Sequence, residues 1–220
     1  MIMQRIPEPE LMDDPVQAAA YAMADFDEPH SMFIKTFQTR FPGIDIRGNV
    51  LDLGCGAADI TIRFARAYSG CHLYAVDGAK AMLSEGKARI TAEGLEDRID
   101  LIQGVIPRVP LAINDLQAII SNSLLHHLYD PSGIWDCIKK LGNNEVSIFI
   151  MDLMRPDSDA EVQRLVNTYA ADEPPVLKRD FYNSLCAAFT PAEVAIQLRT
   201  ASLLHLKIEV ISDRHMIITS

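Results

Sequence analysis

The stretch VLDLGCGAADIT, residues 50–61, decides the fold, because it reads as a strand, a glycine turn and the start of a helix. Gly54 and Gly56 allow a tight turn and a close approach to a ligand, since neither has a Cβ atom. The helix that follows directs its free backbone N–H groups towards whatever lies above the turn. The stretch therefore predicts a strand–turn–helix unit that binds a small ligand with a negative group.

Two classes of ligand use such a turn, and Asp59 separates them. A dinucleotide requires G-x-G-x-x-G, and the third glycine of that pattern falls on Asp59, a bulky acid where a pyrophosphate would lie. The stretch instead resembles motif I of the class I S-adenosylmethionine-dependent methyltransferases. Asp52, Gly54 and Gly56 match that motif, and Ala58 stands where its last glycine is usual. A turn that is rich in glycine for folding reasons alone is the alternative.

A second acidic residue, Asp77, follows the next predicted strand, residues 71–76. An acid about 20 residues past the glycines is placed to accept hydrogen bonds from both ribose hydroxyls, although an aspartate there also serves as a helix N-cap. The family resemblance implies that Gly78 and Met82 lie near the adenosine, while ordinary core packing is equally open for Met82. The acid that the family often carries after strand three is missing here, so adenine recognition would depend on the Val105 backbone and apolar packing.

The polar residues of the predicted acceptor side follow strands four and five. Strand four, residues 116–120, leads into Ser-Asn-Ser-Leu-Leu-His-His-Leu, and strand five ends at Asp152. Ligands of a doubly wound sheet lie beyond the carboxyl ends of its strands, which places the segment from Ser121 to His127 over the reacting methyl group. Ser121 is therefore a candidate cofactor-binding residue.

The run Leu-His-His-Leu resembles that of small-molecule methyltransferases, including sugar O-methyltransferases. That resemblance implies that His126 and Asp152 are catalytic, with Asp152 either orienting His126 or sharing the acceptor hydroxyl. A hydroxyl must lose its proton as it attacks, and a histidine with a pKa near 6.5 suits general-base work at neutral pH. His127 is a weaker candidate for the same role. A helix start with one packed and one exposed histidine is the alternative.

Two segments are expected to lie outside the core domain of residues 41–220 or to interrupt it. Residues 1–40 contain helical periodicity, and the resemblance implies an N-terminal helical lid over the cofactor, with Tyr21 as a candidate cofactor-binding residue. An insertion at about 153–190 is expected to wall the acceptor pocket. Within it, Arg155 is open to two uses, either an acidic acceptor or a structural ion pair.

Composition limits the classes of partner. The chain has 220 residues, 49% of them hydrophobic, a net charge of −10 and a pI near 5.0, which supports one full core and disfavours a nucleic-acid partner. No apolar run approaches the roughly 20 residues that span a bilayer. The four cysteines lack metal or redox spacing, so we expect reduced thiols, no metal site and a cytoplasmic location.

The C-terminus predicts how the sheet ends. Residues 206–210 and 216–218 read as two short strands of a hairpin, which would add an antiparallel strand to a parallel sheet. The expected fold class is therefore α/β, a Rossmann-like doubly wound sheet, mostly parallel with an antiparallel C-terminal strand, with helices on both faces.

The expected function is that of an S-adenosylmethionine-dependent methyltransferase acting on a small-molecule acceptor, with a hydroxyl among the candidate groups. The cofactor would be S-adenosyl-L-methionine and its product S-adenosyl-L-homocysteine, and the protein would be a monomer or homodimer without a membrane partner. Three alternatives remain at this stage: methylation of a protein side chain, a non-methylating use of the same cofactor such as aminopropyl transfer, and a cofactor-binding interaction module without catalysis.

Overall fold

The computed structural model describes residues 3–24, 26–109, 111, 113–143 and 145–220; residues 1, 2 and 25 of the predicted lid segment lie outside this range. A 3₁₀ turn, Leu125–His127, follows β4. The helices and strands are α1 Pro15–Met23, α2 Asp27–Arg40, β1 Asn49–Leu53, α3 Asp59–Ala67, β2 His72–Asp77, α4 Lys80–Ala92, β3 Ile99–Gln103, β4 Leu116–Asn122, α5 Ser132–Leu141, β5 Ser147–Leu153, α6 Asp159–Tyr169, α7 Pro175–Ala187, α8 Pro191–Thr200, β6 Lys207–Val210 and β7 His215–Thr219.

The predicted fold class is confirmed. Within the described residues the sheet has seven strands in the order β3-β2-β1-β4-β5-β7-β6. The first five of these pair in parallel, whereas β7 runs antiparallel to both β5 and β6. From β1 the sheet extends through β2 and β3 on one side and through β4 and β5 on the other. The crevice between the ends of β1 and β4 is therefore the topological switch point, where such sheets bind ligands.

Helices cover both faces of the sheet, which explains why every residue of β5 is buried. One face carries α2 and α3, whose Phe33, Phe37 and Phe64 are fully buried. The other face carries α5 and α8 through Trp135 and Leu198. Packing on both sides holds the loops at the carboxyl edge of the sheet in place.

The N-terminal segment is helical where the sequence shows helical periodicity. It forms two helices, and α1 begins at an Asp14 cap whose side chain accepts a hydrogen bond from the Gln17 backbone. Residues 3–14, here called the strap, have no helix or strand. The strap is tied at both ends, because Ile6 N donates to the Cys186 carbonyl and the Asp13 carboxylate accepts from Ala81 N.

The segment 153–190 holds α6 and α7, which pack together in a small apolar cluster of their own. The helix that follows, α8, begins at Thr190, which forms a reciprocal capping box with Glu193. The question over Arg155 is also settled: its buried guanidinium pairs with Glu193 at 2.6 Å and donates to the Ala188 carbonyl, so it is a structural ion pair.

All four cysteines are buried free thiols. Among the residues that the structure describes, none of the helices combines the length and apolar character needed to cross a membrane.

Candidate functional site

A cavity of about 1230 Å³ opens at the carboxyl edge of the sheet, above β1, β2 and β4. The strap, α1 and the start of α2 line one side of it, and α7 with the 3₁₀ turn lines the other. Pockets for one small molecule usually measure about 300–1,000 Å³, so this cavity has room for a cofactor and a second ligand.

The floor of the cavity is the glycine turn after β1. Gly54 and Gly56 have φ angles of +74° and +52°. A Cβ atom on Gly54 would lie 2.7 Å from Leu124 Cδ1, so both the backbone angle and the close packing require glycine. Ala58 also has a left-handed φ of +61°, which explains why a glycine is usual there.

Asp77 at the end of β2 reaches back to this turn. Its Oδ2 accepts a hydrogen bond from Gly56 N at 2.9 Å, and its Oδ1 accepts from Ala79 N at 2.8 Å. Burial raises the pKa of Asp77, while these backbone hydrogen bonds work in the opposite direction. Asp77 lines the cavity, and its unused lone pairs leave room for further donors.

Asp52 lies below the turn and is almost fully buried. It accepts a hydrogen bond from Thr61 Oγ1 at 2.6 Å. Burial raises its pKa to about 7, and the negative charge of Asp77 adds to the rise. A buried carboxyl of this kind gains from a cationic ligand, since a positive charge favours its ionised form.

An apolar slot lies beside Gly78. A Cβ atom on Gly78 would lie 2.6 Å from Leu11 Cδ2 and 3.1 Å from Val105 Cγ2, so the backbone is open only because this residue is glycine. Met82 is buried with its Cε close to Gly56, and Tyr21 lines the same side of the cavity. Burial, with the charges of nearby acids, raises the pKa of Tyr21 to about 12, so its hydroxyl remains protonated at neutral pH.

Asp59, which occupies the third dinucleotide-glycine position, is held in an ion-pair network. Its carboxylate lies 2.9 Å from His30 Nδ1 and 3.0 Å from Arg89 Nη2, and it also pairs with Arg63. Burial opposes the charged form, but the hydrogen bonds from His30 and Arg63 outweigh it and lower the pKa of Asp59. These contacts fix a bulky side chain at the start of α3, in the position where a dinucleotide-binding turn requires glycine.

At the opposite end of the cavity, His126 and Asp152 form a buried pair. His126 Nδ1 lies 2.6 Å from Asp152 Oδ1, and Asp152 Oδ2 accepts a hydrogen bond from Leu125 N at 2.7 Å. Burial disfavours a charged imidazole, but the Asp152 charge and hydrogen bond prevail and raise the pKa of His126. The proximity expected from the ends of two adjacent strands is therefore present.

The strap adds Glu8 to this pair. Glu8 Oε1 lies 3.6 Å from His126 Nε2 and 3.5 Å from His127 Nδ1, and it accepts a hydrogen bond from Ser184 Oγ. Burial raises the pKa of Glu8, which the His126 charge partly opposes. Burial and the His126 charge lower the pKa of His127 to about 3, so His127 is a neutral imidazole at pH 7.

The structure brings most of the predicted site residues to the one cavity, with two exceptions. The predicted residues that line it are Asp52, Gly54, Gly56, Asp77, Gly78, Met82, Val105, Tyr21 and His126. Ser121 is fully buried and donates to the Leu53 carbonyl, so its side chain is not available to a cofactor, and the neighbouring Asn122 and Ser123 line the cavity instead. Asp152 lies behind His126 and does not line the cavity, which corrects the idea that it shares the acceptor hydroxyl and leaves the orienting role.

Sequence reasoning missed Glu8. It lies in an acidic, proline-rich stretch without periodicity, 118 positions before His126. No local pattern indicates that the strap crosses the cavity. The structure explains the position of Glu8, because Arg5, three residues earlier, donates to the carbonyls of His126 and Leu128 and so fixes the strap against the 3₁₀ turn.

Comparison with known proteins relates this chain to methyltransferases. A family model described as "Methyltransferase domain" matches residues 50–142, from β1 to the end of α5. The release factor glutamine methyltransferase of Gloeobacter violaceus is 37% identical over 73 residues, 33% of this chain and 25% of that protein. The carboxy-S-adenosyl-L-methionine synthase of Vibrio atlanticus is 30% identical over 95 residues, 42% of this chain and 38% of that protein. These matches thus span well under two thirds of either relative.

Among solved structures, the plantazolicin methyltransferase BpumL, in complex with a triazolic desmethylPZN analog and SAH, has a TM-score of 0.68. The alignment covers 94% of this chain and 92% of that one at 14% identity, which shows a shared fold.

Proposed function

We propose that this chain, as a member of the class I S-adenosylmethionine-dependent methyltransferase family, transfers the methyl group of S-adenosylmethionine to a small-molecule acceptor, with a hydroxyl as the acceptor group. The observation that carries the proposal is one cavity with two different ends. The glycine turn and Asp77 form one end, and His126, backed by Asp152, forms the other.

The residues at the first end fit the cofactor. The positive φ angles of Gly54 and Gly56 keep the turn free of side chains, so a ligand can approach the backbone. Asp77 has lone pairs for ribose hydroxyls, and the slot between Gly78 and Val105 suits the adenine ring. Asp52 offers negative charge towards the cationic part of the cofactor.

The second end fits an acceptor that must lose a proton. When bound, the cofactor supplies a methyl group on a sulfonium: the acceptor oxygen bonds to the methyl carbon, the carbon–sulfur bond breaks and the sulfur keeps the electron pair. His126 is the residue that we place beside the acceptor hydroxyl to activate it, and Asp152 fixes its ring. The strap and the helices around the cavity exclude water and hold the acceptor in line, which is the main source of rate in such transfers.

A labelling experiment tests the proposal. The protein is incubated with S-adenosylmethionine carrying a labelled methyl group and with a cell extract divided into a small-molecule and a macromolecular fraction. We expect S-adenosylhomocysteine to form and the label to enter the small-molecule fraction. Label confined to proteins would instead support side-chain methylation, the activity named for the Gloeobacter relative.

The same experiment tests the residue assignment. His126→Asn should leave cofactor binding intact and slow transfer by about 10²–10⁴-fold, the usual contribution of proton-transfer catalysis. His205→Asn, a change at an exposed histidine away from the cavity, is the matched control. Normal turnover by His126→Asn would show that positioning alone carries the reaction.

A non-methylating use of the cofactor is a second candidate, because one relative is named as a carboxy-S-adenosyl-L-methionine synthase. Mass spectrometry of the cofactor after incubation separates the two. Methyl transfer yields S-adenosylhomocysteine, whereas a carboxylated cofactor, whose former methyl carbon is still bonded to sulfur, would contradict the main proposal.

A further inference from the structure

Three ligand groups converge at the second end of the cavity, from Glu8, His126 and His127. Their potential ligand atoms all lie within 4.8 Å of one another, and the Glu8 oxygen is 3.5–3.6 Å from a nitrogen of each histidine. Ligands about 2.0–2.2 Å from a single ion in tetrahedral or octahedral geometry stand roughly 3.0–3.5 Å apart. Two of the three separations are therefore close to the spacing that a bound ion requires, and the two histidine nitrogens are at most 4.8 Å apart.

Neither histidine nitrogen that faces Glu8 carries a proton when the rings are neutral, while Glu8 Oε1 accepts one hydrogen bond, from Ser184 Oγ. The Nδ1 of His126 faces the Asp152 carboxylate, which only accepts, so Nδ1 carries the proton and a neutral ring presents the lone pair of Nε2. His127 Nδ1 is buried and has no hydrogen-bond partner among the residues that the structure describes. Pro9 has a hydrogen bond with the His127 ring and has no N–H, so the ring proton is on Nε2 and Nδ1 also presents a lone pair.

Two imidazole nitrogens with lone pairs thus lie 3.5–3.6 Å from an oxygen of a partly buried carboxylate, and a cation among the three atoms would remove the repulsion between their lone pairs. A proton on His126 Nε2 would satisfy that ring and Glu8, but it would leave His127 Nδ1 unpaired. A metal ion satisfies all three atoms together.

We propose that Glu8, His126 and His127 bind a divalent transition-metal ion such as Zn²⁺, with Asp152 as the residue that orients His126. Two imidazoles and one carboxylate are a common ligand set for such ions. A metal-binding histidine that donates its other N–H to a carboxylate is the usual supporting arrangement. The sequence expectation of no metal site rests on cysteine spacing and does not bear on this cluster.

The ion would serve the acceptor. Three protein ligands leave a coordination position open, and all three residues line the cavity. An acceptor hydroxyl in that position would have a lowered pKa and would release its proton to solvent, so His126 would activate it through the ion. Binding of the ion does not depend on the proposed function, whereas this role rests on it.

Metal binding by the full chain tests the proposal. Untagged protein is stripped with a chelator, dialysed against Zn²⁺ or Co²⁺, and measured by elemental mass spectrometry and by the absorption of bound Co²⁺. We expect one ion per chain. Glu8→Gln and His127→Asn should each weaken binding by more than about tenfold, and Asp152→Asn by about 10–100-fold, as for a residue that supports a ligand.

Glu10→Gln in the same strap and His205→Asn on the surface are matched controls that should bind like the wild type. Circular dichroism confirms that each variant is folded. A wild-type protein that retains no ion, or equal binding by folded Glu8→Gln and His127→Asn, would overturn the metal site. Calorimetry with S-adenosylhomocysteine in the presence of a chelator separates the two proposals. A protein that binds the cofactor but no metal contradicts only the metal site. A protein that binds metal but no cofactor contradicts only the proposed function.

Discussion

Asp77 is the residue on which the account of cofactor binding depends most. The sequence left its role open between helix cap and ribose ligand, and the structure shows backbone hydrogen bonds to both carboxylate oxygens. Asp77→Asn replaces one acceptor by a donor, so it should destabilise the free protein as well as weaken cofactor binding. A loss of affinity alone would therefore not identify a ribose contact.

A cofactor analogue separates the two roles. The wild type should bind S-adenosylhomocysteine about tenfold or more tightly than an analogue without ribose hydroxyls, since a hydrogen bond to a charged group contributes about 1.5–3 kcal/mol. Asp77→Asn should bind both with nearly equal affinity. If the variant discriminates as well as the wild type, the role of Asp77 is structural.

Asp52 predicts how cofactor binding depends on pH. Its pKa of about 7 in the free protein results from burial and from the charge of Asp77, and a cationic cofactor should lower it. Below about pH 7 the free protein then holds more protons than the complex, so binding releases protons and affinity increases as the pH rises towards 7. Calorimetry in buffers of different ionisation enthalpy measures this release, and Asp52→Asn should abolish it. Proton uptake by the wild type, or release that persists in the variant, would contradict the placement of Asp52.

At the scale of elements, the glycine turn offers a matched pair of substitutions. Gly54 and Gly43 have nearly the same φ, +74° and +76°, but a Cβ on Gly54 would meet Leu124 at 2.7–2.9 Å and a Cβ on Gly43 would meet nothing within 4 Å. Gly43→Ala should cost about 1–2 kcal/mol for the left-handed backbone. Gly54→Ala should add about 1–3 kcal/mol of overpacking. Urea unfolding measures both, and equal destabilisation would show that Leu124 moves aside freely.

Elements with a local signal could be predicted from the sequence, and the strap could not. The capping box at Thr190 and the strands around Asp77 and Asp152 are visible as short patterns, and the structure contains them. Residues 3–14 are placed by long-range hydrogen bonds instead, such as those of Arg5 to the 3₁₀ turn and of Ile6 to α7. The position of Glu8 beside His126 follows from those contacts and from no periodicity.

At the scale of the whole molecule, the strand order explains why distant residues share a cavity. Parallel strands end at the same edge, so Asp52, Asp77 and Asp152 are brought to one side of the sheet. This is why the cofactor end and the His126–Asp152 pair could be anticipated from the sequence. The acceptor could not, because α6, α7 and the strap shape that end of the cavity through tertiary contacts that no motif encodes.

The measurement that tests the central claim most directly is isothermal titration calorimetry of the wild-type protein with S-adenosylhomocysteine and with NAD. The account predicts saturable binding of S-adenosylhomocysteine at one site per chain. We predict no binding of NAD, because Asp59, held by His30 and Arg89, puts a bulky side chain where a dinucleotide-binding turn requires glycine. Binding of NAD without binding of S-adenosylhomocysteine would contradict the account.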